Sequence, residues 1–148
     1  LPAFISMNAI YLLLLLNAFS PVVALNLTDL VGQRLLKSTN GKYLRARTSN
    51  ENDTVVEMSP VRDDCARWYI QEYIEWVALV PYCARDKFLQ ADYQTKRVGL
   101  GSHFLWEPWK QNGSWAFMKD SSSMLNVRAN GSMYLEGYEL RFWTEPWI

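Results

Sequence analysis

Gln33-Arg34-Leu35-Leu36-Lys37, Trp76-Val77-Ala78-Leu79-Val80 and Trp115-Ala116-Phe117-Met118-Lys119 open three similar stretches of chain. Each is followed by a turn and a second apolar segment: Lys42-Tyr43-Leu44-Arg45-Ala46, Lys87-Phe88-Leu89-Gln90-Ala91 and Met124-Leu125-Asn126-Val127. A third segment comes next: Val55-Val56-Glu57-Met58, Arg97-Val98-Gly99-Leu100 and Met133-Tyr134-Leu135. Each stretch then closes on a tryptophan, in Ala66-Arg67-Trp68, Glu107-Pro108-Trp109 and Glu145-Pro146-Trp147. A period of roughly 40 residues repeated three times marks an architecture whose units bury their apolar faces only together. In this alignment Trp68, Trp109 and Trp147 are equivalent, as are Trp76 and Trp115, and equivalent aromatic positions in a repeat are expected to pack the core.

The segments are short and punctuated by turn residues. Thr39-Asn40-Gly41 separates the first two segments of unit one, and Asn130-Gly131 the second and third of unit three; Asn-Gly is a strong hairpin signal. Gly101, Gly113 and the run from Asp120 to Ser123 are further breaks. Val, Ile, Tyr, Phe and Trp dominate between them, as strands prefer. After residue 30 no stretch carries a sustained helical period, so the expectation is an all-β chain of twelve strands in three groups of four.

Three four-stranded units, each closing on a tryptophan, resemble a β-trefoil, in which six strands form a closed barrel and six form a triangular hairpin cap. The resemblance covers roughly residues 31–148, with repeats at about 31–72, 73–111 and 112–148. Propeller blades are the structural alternative, but three are too few, since propellers have about four to eight.

The leucine run Leu12–Leu16, followed by the small residues Val22-Val23-Ala24, resembles a secretory signal peptide starting at Met7 and cleaved near Ala24, with Leu1–Ser6 either translated leader residues or a fragment artefact. A membrane anchor is the rival, and the apolar stretch is short for the ~20 residues a bilayer requires. Removing residues 1–24 leaves 148 − 24 = 124 residues, one domain's worth. Fifteen Lys and Arg balance fifteen Asp and Glu, which argues against a nucleic-acid partner and gives no reason to expect an anionic membrane surface. Cys65 and Cys83 are the only cysteines, and in a secreted chain an even count suggests a disulfide. Two cysteines with the single histidine, His103, do not make a zinc site, and neither metal nor cofactor is expected.

Four Asn-x-Ser/Thr triplets begin at Asn26, Asn52, Asn112 and Asn130, where nine Asn and seventeen Ser or Thr give about one by chance. All four fall in the N-terminal tail, in turns, or at the joint between units two and three, where a glycan leaves a core intact. Trp106 and Trp143 stand outside the closing-tryptophan pattern. Each lies beside a carboxylate, in Trp106-Glu107 and Trp143-Thr144-Glu145, a pairing that suits stacking on a sugar face. The loop Tyr82–Lys87, held by Cys83, is the candidate for presentation to a protease. No nucleophile elbow, phosphate loop, dinucleotide fingerprint or calcium loop appears, and a lone loop histidine is ordinarily solvated, so no catalytic residue is expected.

Ricin-type lectin trefoils close each repeat on Gln-x-Trp; here the tryptophan is kept and the glutamine is absent from all three triplets. Lys42-Tyr43-Leu44 and Lys87-Phe88-Leu89 are similar to the Gly-Lys-Tyr-Leu phrases of fascin-type trefoils, which bind actin in the cytoplasm and so conflict with the signal peptide and sequons. The size, secretion signal and four sequons resemble schistosome egg-secreted glycoproteins, a likeness that implies glycans recognised by host lectin receptors and antibodies. The expected function is therefore a secreted, N-glycosylated, non-catalytic interaction protein. A carbohydrate-binding lectin and a trefoil protease inhibitor are the alternatives.

Overall fold

A computed structural model describes residues 26–50 and 53–147; residues 1–25, with the expected signal peptide, and Asn52 lie outside the described residues. Twelve strands follow one another: β1 (Gly32–Ser38), β2 (Tyr43–Asn50), β3 (Asp53–Ser59), β4 (Arg67–Tyr73), β5 (Trp76–Pro81), β6 (Phe88–Ala91), β7 (Val98–Gly101), β8 (Glu107–Gln111), β9 (Ser114–Asp120), β10 (Ser123–Val127), β11 (Met133–Glu136) and β12 (Phe142–Pro146). A single 3-10 turn, Tyr82–Ala84, interrupts them. Among the described residues no helix is long and apolar enough to cross a membrane.

The expected all-β arrangement is formed. Antiparallel pairing runs around a ring, β1–β4–β5–β8–β9–β12 and back to β1. Two seams of this barrel are narrow. β9 meets β12 through the pair Trp115↔Phe142, and β5 meets the residue that leads into β8 at the bridge Val77↔Trp106, where both residues exchange N–H···O bonds of 2.8 Å. Closure gives each strand of the ring a neighbour on both sides. The remaining strands form three hairpins, β2–β3, β6–β7 and β10–β11, at one end of the barrel. β6–β7 is tied to the third hairpin by the bridge Arg97↔Tyr134 and by Leu135 N–H donating to Lys96 O at 2.7 Å.

The register shows the threefold repeat residue by residue. Arg34↔Trp68, Val77↔Trp106 and Trp115↔Phe142 are the same pair in three places. So are Leu36↔Thr144, Leu79↔Ile70 and Phe117↔Pro108. In the hairpins Leu44↔Met58, Leu89↔Leu100 and Leu125↔Leu135 match in turn. Trp68, Trp106, Phe142, Leu36, Leu79, Phe117, Leu44, Leu89 and Leu125 are all fully buried in one cluster. Each Leu or Phe so enclosed contributes roughly 1.5–3 kcal/mol through removal from water.

This register corrects the tryptophan alignment expected from sequence. The counterparts of Trp68 are Trp106 and Phe142, not Trp109 and Trp147. Trp109 lies three residues beyond Trp106 and Trp147 five beyond Phe142, odd offsets that put a strand side chain on the opposite face. Trp109 is accordingly exposed and Trp147 half-buried outside the barrel. Likewise Trp115 is buried, its counterpart being Val77, whereas Trp76 is one residue out of step and half-buried. A slip of one residue reverses the face.

Candidate functional site

The two tryptophans considered for sugar stacking have opposite fates. Trp106 has no exposed surface, and its Nε1–H donates to Leu89 O at 2.9 Å. Trp68 Nε1–H does the same to Leu44 O at 2.8 Å. The sequence expectation for Trp106 is thus corrected: it is a core residue that offers a ligand neither ring face nor N–H. Trp143 sits on the outer face of β12, 40% exposed, with Glu145 two residues further along the same face. Glu145 is engaged by Lys37 at 3.4 Å and by Tyr43 Oη, which donates at 3.3 Å.

The sequon asparagines occupy turns. Asn26 is exposed, and its Oδ1 accepts from Thr28 N–H at 3.0 Å and Thr28 Oγ1–H at 2.5 Å. Asn112 and Gly113 form the two-residue turn between β8 and β9, with φ of 52° and 80°. Two positive φ values mark a type I′ hairpin, for which Asn-Gly is the preferred pair. Asn130 is exposed in the β10–β11 turn, its Oδ1 accepting from Ser132 N–H at 3.0 Å. Lys110, beside the Asn112 turn, pairs with Asp29 at 3.0 Å, so the segment bearing Asn26 lies at the same end of the barrel, opposite the hairpin turn that carries Asn130. Ser114, the hydroxyl residue of the Asn112 triplet, is buried. Its Oγ–H donates to Gln111 O at 2.9 Å and its oxygen accepts from Arg141 Nε at 2.5 Å.

Cys65 and Cys83 form a disulfide with Cα atoms 5.0 Å apart. It joins the approach to β4 with the 3-10 turn after β5, and so ties unit one to unit two. Arg45 positions the Cys65 side of this link. Its Nη2 and Nε donate to the two Asp63 carboxylate oxygens at 2.7 and 3.0 Å, and Nη1 donates to Glu57 at 3.1 Å. Asp63 Oδ1 accepts in turn from Cys65 N–H at 3.1 Å. The hydrogen bonds from Arg45 hold the Asp63 carboxyl below the usual carboxylate range, outweighing the opposite effect of burial.

The loop considered for protease binding is coiled rather than extended. Tyr82–Ala84 is a 3-10 turn, and Lys87 N–H closes back on Ala84 O at 3.0 Å. Segments that bind by adding a strand to a partner are extended, and this loop is not. The His103 ring packs at 5.5 Å from Tyr73 and 5.1 Å from Phe88. Among the described residues no group of three His, Cys, Asp or Glu is placed to hold a metal ion.

A cleft of about 410 Å³ lies where the three hairpins meet. Val55 and Val56 come from the first hairpin; Gln90, Asp92, Arg97 and Leu100 from the second; Met133 and Tyr134 from the third. Asp92 Oδ1 is occupied by Gln94 N–H at 2.8 Å, and the Arg128 guanidinium lies 3.5 Å from the Tyr134 ring centre. Sequence reasoning missed this cleft, because its walls come from three different repeats and no single segment carries a motif for it.

No family model and no curated protein matches the chain. Solved structures do. The designed threefold-symmetric protein ThreeFoil superposes with a TM-score of 0.66 at 14% identity, over 78% of this chain and 99% of that one. SeviL, solved bound to asialo-GM1 saccharide, gives 0.63 at 14% identity, over 80% and 99%. The ricin B-like lectin of Macrolepiota procera, solved in complex with lactose, gives 0.62 at 10% identity, over 77% and 94%. At such identities the likeness carries the fold alone, and with the closed six-stranded ring and its three capping hairpins it makes this chain a β-trefoil.

Proposed function

We propose that this protein is a secreted, N-glycosylated, non-catalytic β-trefoil that acts as an extracellular interaction protein, its glycans forming the most exposed recognition surface. The observation that carries this reading is the placement of Asn26, Asn112 and Asn130, all exposed and all in the tail or in turns at the two ends of the barrel. Asn52 supplies the fourth sequon. The Cys65–Cys83 bridge suits an oxidising compartment. The partners of such a molecule are lectin receptors and antibodies that read its glycans, as the resemblance to egg-secreted glycoproteins implies. The engaged hydroxyl of Ser114 adds an order of events: the glycan on Asn112 is attached before the β8–β9 turn closes.

The test is intact mass of the secreted protein, non-reduced, before and after enzymatic removal of N-glycans. The expected result is loss of three or four glycan masses and a new N-terminus near Leu25. An unchanged mass with residues 1–24 retained overturns the reading.

Carbohydrate binding is the second reading, favoured by the cleft at the hairpin junction. It combines apolar walls with Gln90, Asp92 and the Tyr134 ring, the mixture of apolar surface and few polar groups that ligand sites show. Retention on lactose-agarose that is lost in Tyr134→Ala supports it; equal retention of the variant removes the cleft as the site.

A further inference from the structure

The outer wall beside the disulfide carries an unusual arrangement of charge. Three guanidinium groups interleave with three half-buried rings. Arg62 lies 5.5 Å from the Trp147 ring centre, and Arg67 lies 5.2 Å from the same ring and 4.0 Å from Tyr82. Arg85 stacks on the other ring neighbours, 4.1 Å from Tyr82 and 5.4 Å from Tyr69. The result is a continuous row, Arg62–Trp147–Arg67–Tyr82–Arg85. Elsewhere Arg45, Arg128 and Arg141 each pair with a carboxylate, while Arg34 and Arg97, like the three of the row, do not among the described residues. Among the described residues Arg62, Arg67 and Arg85 pair with none, although Asp64 and Asp86 lie near them in sequence. Three positive charges are thus left concentrated on one wall of a chain whose net charge is zero.

We propose that this wall binds a sulfated polysaccharide. A guanidinium lying over a ring has its face covered; at Arg62 and Arg85 the N–H edges stay free for the paired oxygens of an oxyanion, whereas Arg67 donates through Nη2 to Gln33 and has its Nε buried, so it contributes charge to the row. Stacking also removes rotamer freedom in advance, which lowers the entropic cost of binding. A row of cations fits a linear ligand whose anionic groups recur along its length better than it fits a single ion. The disulfide is part of the site. Arg62 and Arg67 flank Cys65, while Tyr82 and Arg85 flank Cys83, so the bridge staples the two halves of the row together. The choice of sulfated chains among polyanions rests on the extracellular location proposed above.

The experiment is salt elution from heparin-agarose, followed by titration with heparin, with desulfated heparin and with duplex DNA. It uses the secreted protein and, separately, unglycosylated oxidised protein. Retention is expected at a salt concentration of about 0.15 M, where exposed single charges are largely screened. Arg62→Gln with Arg85→Gln is expected to weaken heparin binding about tenfold. Lys42→Gln with Arg47→Gln removes the same charge from two exposed positions of the first hairpin and is expected to change it less than about twofold. Tyr82→Leu keeps every charge and is expected to weaken binding about threefold through loss of stacking. Absence of retention, equal losses in the two charge variants, or equal binding of DNA or desulfated heparin overturns the proposal. Selective heparin binding beside a failed glycan-mass test leaves the site standing and overturns only the secretion reading; the reverse pair of results overturns only the site.

Discussion

The inner and outer faces of β4, β8 and the start of β12 differ by one residue and follow different rules. Inside stand Trp68, Trp106 and Phe142, each without exposed surface and each at the same place in its repeat. The very next residues, Tyr69, Glu107 and Trp143, point out, and they share neither chemistry nor surroundings. Tyr69 stacks in the arginine row, Glu107 is exposed, and Trp143 lies beside Lys37 of β1. Barrel closure around a threefold axis constrains the first set, because each must fill the same space. Nothing comparable constrains the second, so individuality, and with it recognition, belongs to the outer face. Even inside, volume is kept more strictly than identity. Trp68 and Trp106 donate to Leu44 O and Leu89 O, but Phe142 has no donor, and Leu125 O accepts instead from Leu140 N–H at 3.1 Å.

The largest effects should therefore come from the inner set. Trp106→Ala is expected to cost about 3–5 kcal/mol, read as a shift in the urea midpoint at constant slope. Trp106→Phe keeps an aromatic ring in place but removes the indole N–H and part of the ring volume. It makes unit two like unit three but gives Leu89 O no substitute donor, and about 1–3 kcal/mol should be lost. A neutral Trp106→Phe would break the comparison, since it would mean that neither the indole N–H nor the larger ring of Trp106 contributes.

The disulfide comes next, because it serves the outer face while closing a long loop. Cys65 and Cys83 are 18 residues apart, and a loop of that size corresponds to roughly 3 kcal/mol in the chain-entropy account. Cys83→Ser should lower stability by about that amount while leaving the burial of the inner residues unchanged, with tryptophan fluorescence of the folded state as the readout for burial. Loss of the native spectrum would show that the wall and the core are not independent.

How much of this was legible in the sequence follows the same division. Strand positions, the threefold plan and the Asn-Gly turns were readable because apolar alternation and turn chemistry are local signals. The inner register was not, since Glu107-Pro108-Trp109 and Glu145-Pro146-Trp147 look alike and drew the alignment onto the wrong tryptophans. A better guide was present: Trp68 and Trp106 each lie six residues before a positive-φ turn residue, Ile74 and Asn112. Ile74 hides that turn, because an isoleucine at φ of 61° carries no turn signature. The third member was hidden again by being phenylalanine. The cleft and the arginine row were illegible for a different reason. Each is assembled from segments distant in sequence, and no spacing rule within one segment describes them.

Acid should act on the outer face by a small, signed amount. Arg45 lowers the Asp63 carboxyl below its ordinary value, so the ionised form favours the folded state. Its contribution is present above the unfolded carboxylate range, near pH 4, and is lost as pH falls through the lower folded value. Because the Asp63 side chain is 41% exposed, solvent screening keeps the effect below about 1 kcal/mol. Asp63→Asn should remove it, flattening the stability profile below about pH 4 while shifting the neutral midpoint only slightly. A profile that keeps the same acid slope would place the titrating group elsewhere.

The smallest stability change should fall on Trp143, though its sequence neighbourhood resembles that of Trp106. Its ring is exposed and its cross-strand partner is Lys37, whose ammonium is held by Glu145 at 3.4 Å, so truncation opens no internal cavity. Trp143→Ala should remain within about 0.5 kcal/mol of the parent in urea, against the several expected for Trp106→Ala. A loss above that would mean that the outer wall of β12 is itself part of the packing, and that Phe142 alone does not seal the third repeat. An unchanged midpoint together with reduced retention on lactose-agarose would assign Trp143 to sugar contact. An unchanged midpoint and unchanged retention would leave it outside both packing and sugar binding.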